Sequence, residues 1–286
     1  MKKRKRAVLL LFALAVLLGS VLLTVYPVLS NAVNDRYASL VRTRYAEEMK
    51  QTDSGSLREE REKAARYNQS LLPVSFSKEA LEAAAEDYDS LLDTDGSGLM
   101  GFLEIPAMQV SIPIYHGTSE ETLRRGVGHL AGSALPVGGE STHCVLTGHS
   151  GVAGNRLLSD LDRLTEGSVF NLHVLNETLA YRVCEIHTVL PYETDLLQPV
   201  SGKDLCTLVT CTPYGVNTHR LLVRGERTEY EAVTEAEQKT TEEPVPSTWK
   251  EQYLRGLKTG GICAAALLAG TVPAAFLLLR RGKHEK

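Results

Sequence analysis

From Gly101 the apolar residues stop recurring every three or four positions and recur every second one, a pattern held for about 125 residues. Successive side chains of a strand point to opposite faces, so a period of two is the mark of a half-buried strand. Seven segments carry it: Gly101–Ile105, Ser111–Tyr115, His143–Thr147, Ser168–Val174, Thr178–Leu190, Leu205–Cys211 and Arg220–Glu226. Gly and Pro punctuate the gaps, and one helical pattern, Asn155–Leu164, interrupts the series. The fold class is mainly β, and short strands in close succession predict one closed barrel rather than a layered α/β domain.

Residues 30–92, ahead of the barrel, read as helix. Val33, Tyr37, Leu40, Val41 and Tyr45 recur at three and four and form one apolar stripe. Ser54-Gly55-Ser56 marks a break, and a charged helix follows through Tyr67. Beyond the loop Leu71–Phe76, Ser77 is placed to cap a last helix whose stripe is Ala80, Leu81, Ala84, Tyr88, Leu91 and Leu92.

Both ends of the chain carry uncharged runs. Ala7–Leu29, at ~1.5 Å per residue, spans about 34 Å as a helix, enough to cross a bilayer. Ser30-Asn31-Ala32 would suit a signal-peptide cleavage site, but the run exceeds the ~7–15 residues of such a signal, which favours an uncleaved anchor. The second run, Gly261–Leu279, contains Pro273, which membrane helices tolerate. Basic residues flank both on the outer side, in tails 1–6 and 280–286, so both termini are expected in the cytoplasm with everything between displayed outside. Between 228 and 260 lies an acidic tether rich in Glu and Thr with Pro244 and Pro246. Without the two tails, which hold nine of the 31 basic residues and one of the 35 acidic ones, the net charge is about −12, against −4 for the whole chain. Such acidity argues against nucleic acid as a partner.

Five cysteines in an exported chain raise the question of disulfides. Cys206 and Cys211 are five apart on one predicted strand, so their side chains face opposite ways and do not bridge each other. Cys144 and Cys184 sit in apolar strand patterns as small core residues, and Cys263 falls in the second membrane run. An odd count without paired spacing fits a free, reactive thiol.

Cys211 is that thiol. Thr207-Leu208-Val209-Thr210-Cys211-Thr212 and Arg220-Leu221-Leu222-Val223-Arg224 flank a Pro-Tyr-Gly turn, which predicts a hairpin with the cysteine closing one strand and the arginine opening the next. A nucleophile facing a fixed positive charge is a device for acyl transfer. His149, in the Gly-flanked loop Leu146-Thr147-Gly148-His149-Ser150-Gly151, would serve as general acid and base. Arg220 suits an oxyanion because its planar guanidinium stays charged. A lone cysteine is often an inert core thiol; the hairpin, the histidine and the arginine together outweigh that.

These segments resemble those of sortases, the cysteine transpeptidases of Gram-positive surfaces, and most closely the pilin-polymerising class C group. The resemblance runs from about Tyr67 to Arg227. It rests on Gly101-Phe102-Leu103-Glu104-Ile105-Pro106, Ile112-Pro113-Ile114-Tyr115-His116-Gly117-Thr118-Ser119-Glu120, Gly128-His129-Leu130, Leu135-Pro136-Val137-Gly138-Gly139-Glu140-Ser141-Thr142-His143 and the Cys211 hairpin. It implies an eight-stranded barrel over residues 93–227, with Cys211 as nucleophile, His149 as acid and base, and Arg220 as oxyanion partner. The implied reaction cleaves a Leu-Pro-x-Thr-Gly-like sorting signal after Thr, holds the acyl group as a thioester, and passes it to a pilin lysine. The alternative acceptor is a cell-wall peptide amine, as in the housekeeping group. Two membrane runs bracketing the domain match the pilin group better.

Two departures stand out. Pilin-group relatives carry an Asp-Pro-aromatic lid tripeptide; here Pro73-Val74-Ser75-Phe76 leaves only Phe76 as a lid candidate, with no aspartate to face Arg220. The residue after the histidine, often arginine in relatives, is Ser150.

The reaction needs no cofactor. One metal motif is present all the same: Asp93, Asp95, Ser97 and Glu104 satisfy the spacing of an EF-hand calcium loop, though a strand with Pro106 follows where a second helix belongs. A non-catalytic, calcium-stabilised surface module is the rival reading from a different class. His116, His129, His143 and His187 are expected as hydrogen-bonded structural residues, and His219 on the face opposite Arg220.

Overall fold

The computed structural model describes residues 2–71, 88–150 and 157–230. Phe76, the helix expected after Ser77 up to residue 87, the tether from 231 and the run 261–279 lie outside them.

Two helices lead in: α1, Lys2–Gln51, and α2, Ser54–Ser70. Ala7–Leu29 therefore lies within α1, continuous with the stripe expected as a separate element. Among the described residues no helix is long and apolar enough to cross a membrane; most side chains between 7 and 29 are not among them. The break falls just before Ser54-Gly55-Ser56 and not within it. The Asp53 carboxylate accepts from the Gly55 and Ser56 N–H groups and caps α2, so those residues become its first turn.

The predicted stripe of α1 is buried only at its end. Val33, Tyr37 and Leu40 are exposed, whereas Tyr45 and Met49 join the core. The Tyr45 hydroxyl donates to the Met100 carbonyl (3.1 Å) and accepts from the Leu175 N–H (2.9 Å). Burial pushes its pKa up to about 12, and its ring meets Phe102 edge-on. From α2, the Asn68 amide clasps Leu135 through the carbonyl (3.1 Å) and the N–H (2.7 Å).

The strands are β1 Leu99–Ile105, β2 Val110–His116, β3 Val127–His129, β4 Thr142–Thr147, β5 Val169–Val174, β6 Glu177–Val189, β7 Asp204–Thr212 and β8 His219–Thr228. They close into a barrel in the order β1-β2-β3-β4-β7-β8-β6-β5. The β2–β3 and β4–β7 pairs are parallel and the others antiparallel. Leu103, Ile114, Leu146, Phe170, Leu172, Tyr181, Leu208 and Val223 fill the interior, while Phe102 faces α1. Each contributes roughly 1.5–3 kcal/mol on burial. Phe170 stacks on Tyr181 and lies against Gly225, where an added Cβ would come within 2.7 Å of the Phe170 ring.

All seven predicted strands are present, and β3 is the eighth. The predicted helix Asn155–Leu164 is corrected: its described part is turn followed by a single 3-10 turn, Leu161–Arg163. An unpredicted short helix, α3 Glu120–Arg125, sits between β2 and β3, capped by the Ser119 hydroxyl on the Thr122 N–H (3.1 Å).

Candidate active site

The pleat of β7 decides which way its cysteines face. Cys206 and Leu208 belong to the barrel interior, whereas Val209 belongs to a separate outer cluster with Val145, Leu197 and Leu222. Cys211 has the parity of Val209, so it stands on the outer face, half-buried and unbridged. Burial holds the pKa of Cys206 well above the usual thiol range. Cys144 is buried as expected; Cys184 is only half-buried.

On one side of Cys211 lies β8, with Arg220 directly opposite in register. Side chains so paired have Cβ atoms about 4.5–5.5 Å apart. Arg220 shares parity with Leu222 and thus the outer face. Its guanidinium donates to the carbonyls of Asn217 (3.3 Å) and His219 (3.0 Å), which holds it over the turn. The turn folds back on the Pro213 carbonyl, which accepts from Val216 and Asn217 (both 3.0 Å).

On the other side lies β4, running parallel to β7 with Thr147 opposite Val209. Beyond its end the pairing persists. The Gly148 N–H donates to the Val209 carbonyl (3.0 Å), and the Thr210 hydroxyl donates to the Gly148 carbonyl (2.8 Å, buried). These two bonds hold Gly148 against Val209 and Thr210, on the side of β7 away from β8. His149 follows Gly148 past the end of β4. Cys211 and Arg220 therefore stand opposite each other on β7 and β8, and the chain that leaves β4 toward His149 is tied to the other side of β7.

The rest of that face forms a floor and a wall. Val145, Val209 and Leu222 make an apolar floor beside Cys211, with Leu197 of the β6–β7 connection packed on it. The connection is tied down further along. His143 faces the Gln198 carbonyl through Nδ1 (2.9 Å) and the Thr207 hydroxyl through Nε2 (2.7 Å). Arg224 reaches the Leu196 carbonyl and the Glu185 carboxylate (2.8 Å). Burial lowers the pKa of His143 to about 4, so it is neutral at physiological pH.

The remaining histidines are hydrogen-bonded elsewhere: His116 to the Leu91 and Gly98 carbonyls, His129 to Tyr88 and the Ala134 carbonyl, His187 to Glu185. The structure does not bring the four calcium candidates together. The Asp93 and Asp95 carboxylates accept from the Gly98 and Ser97 N–H groups, so both serve to fold their own turn. The Glu104 carboxylate instead meets His173 (3.0 Å) and Asn171 (3.2 Å), and the His173 bond foremost lowers its pKa. Among the described residues no cluster of three or more His, Cys, Asp or Glu side chains is placed to hold a metal.

Sequence reasoning did not single out Glu120, whose carboxylate lies 3.5 Å from His149 Nε2. Its one signal is local: it opens the short helix capped by Ser119.

A family model described as the sortase domain matches residues 103–228. The sortase C of Streptococcus pneumoniae, described in connection with catalysis and pilin substrate specificity, is 41% identical with a TM-score of 0.62; the match covers 68% of this chain and 99% of that one. The Clostridium perfringens sortase C solved with the C-terminal cell-wall sorting motif is 40% identical with a TM-score of 0.57, covering 67% of this chain and all of the other. Among curated relatives, the sortase A of Streptococcus agalactiae is 28% identical over 131 residues, 45% of this chain. The chain spans about half the length of that relative, 52%.

Proposed function

The chain belongs to the sortase family, and from that membership we propose that it is a membrane-anchored cysteine transpeptidase that polymerises pilins. The observation that supports the reading is the register that sets Cys211 opposite Arg220, with the chain leaving β4 toward His149 held against the other side of β7.

The Cys211 thiolate attacks the Thr carbonyl of a Leu-Pro-x-Thr-Gly-like sorting signal. Arg220 stabilises the resulting oxyanion, a contact that strengthens as charge develops. His149 donates a proton to the departing Gly amine, and the Thr–Gly bond gives way to a thioester. A pilin lysine then attacks the thioester, His149 takes up its proton, and the thiol leaves with an isopeptide bond formed. The floor of Val145, Val209 and Leu222 offers the signal's leucine an apolar seat beside the sulfur. The sortase C solved with its sorting motif supports a substrate of this kind. The runs 7–29 and 261–279 would anchor the enzyme with both termini in the cytoplasm.

The test is to incubate the part of the chain between the two runs with a pilin bearing both a sorting signal and an acceptor lysine. Covalent ladders on a denaturing gel are expected, and Cys211→Ala should abolish them together with the trapped acyl-enzyme. Transfer only to cell-wall peptide amines would reassign the acceptor. Full activity in Cys211→Ala would remove the mechanism altogether.

A further inference from the structure

We infer that Glu120 is a positioning residue for the catalytic base: its carboxylate orients the His149 ring through Nε2. The inference rests on the transpeptidase reading above. His149 Nε2 is buried and makes no hydrogen bond, and it lies 3.5 Å from Glu120 Oε2, within ion-pair distance. A base oriented by a third group is the general logic of nucleophile–base pairs. In the resting enzyme such contacts are commonly long and tighten on substrate binding.

The fold supplies the third group from a distant segment. Ser119 caps α3, Glu120 occupies its first turn, and β3, which follows α3, pairs with β4, whose end carries His149. Glu120 lies on the α3 side, with Arg124 paired to that carboxylate at 3.1 Å; Cys211 and Arg220 lie on the β7–β8 side. With Nε2 turned to the carboxylate, Nδ1 is the nitrogen left to take the thiol proton. That transfer leaves an imidazolium between thiolate and carboxylate, with no net change in protons. Glu120 is 66% exposed and shared with Arg124, so its hold is that of a screened ion pair.

The experiment compares wild type with Glu120→Gln and Glu120→Asp in transfer of a sorting-signal peptide to an amine, across pH 5 to 10. Glu120→Gln should lower kcat about two- to fivefold at neutral pH and leave peptide KM unchanged. Glu120→Asp should recover part of the rate, and 1 M salt should erase the difference between wild type and Glu120→Gln. An unchanged kcat in Glu120→Gln, or a loss that 1 M salt leaves untouched, overturns the inference. Since Cys211→Ala tests the transpeptidase reading separately, the two failures are distinguishable.

Discussion

Thr210 governs where the histidine stands, because its hydroxyl is the buried donor to the Gly148 carbonyl, one residue before His149. Replacing it with valine keeps the volume and leaves that carbonyl without its side-chain partner, a cost of about 1–3 kcal/mol. Thr210→Val should therefore melt several degrees lower, and its kcat/KM should fall by tenfold or more, as a base displaced from its nucleophile implies; Thr210→Ser should restore both. A rate in Thr210→Val equal to wild type would show that His149 is held by other means. At Arg220 the expectation is larger: Arg220→Ala should lose on the order of 10²–10³ in kcat. Arg220→Lys should recover only part, because a point charge replaces the fork that now rests on the Asn217 and His219 carbonyls. Cys211 and Arg220 were legible because one hairpin carries both, nine residues apart, and parity fixes their face. Glu120 was not, because 29 residues and an unforeseen helix separate it from His149.

Among the elements, the β6–β7 connection is the one whose attachment depends on pH. His143 is 1% exposed and faces a carbonyl and a hydroxyl beneath that connection, with Arg224 and Glu185 close by. Its folded pKa, about 4, lies below the ~6.5 of an unfolded histidine. Between those values the unfolded chain binds more protons than the folded one, so stability is full above pH 6.5 and declines as pH falls toward 4. The loss is on the order of 3 kcal/mol at most. Urea midpoints measured from pH 7 down to pH 4 should show this decline, and His143→Gln should flatten it; an unchanged slope in the variant would assign the acid sensitivity elsewhere. The same scale explains which elements could be read in advance. Strands of five residues or more showed their period. The three residues of β3 are too few to show one, and the predicted helix at 155–164 is, in its described part, apolar Leu157, Leu158, Leu161 and Leu164 buried by turns. Helical spacing marks a buried face there, not hydrogen-bonded helix.

At the scale of the molecule, the barrel and its leading helices share a single hydrophobic core. Tyr45, Met49, Leu57, Ala64 and Tyr67 belong to the same cluster as Phe102 and Leu172, and the Tyr45 hydroxyl joins β1 at Met100 to the β5–β6 turn at Leu175. A barrel freed of α1 and α2 would expose four large side chains' worth of apolar contact. At roughly 1.5–3 kcal/mol each, that loss rivals the whole stability of an ordinary domain. It would also orphan the Leu135 backbone groups that Asn68 clasps, close to the loop leading into β4. A chain beginning at residue 31 retains all these contacts, whereas one beginning at residue 72 retains none. Urea unfolding monitored by circular dichroism should give the first a single cooperative transition and leave the second without one at 37 °C. Equal midpoints would mean that the barrel closes without its helices, and that the segment leading from the 7–29 run is a tether alone. If instead the longer chain alone folds, the helices that follow the 7–29 run are part of the catalytic unit, and the active site is fixed to that run through packed core.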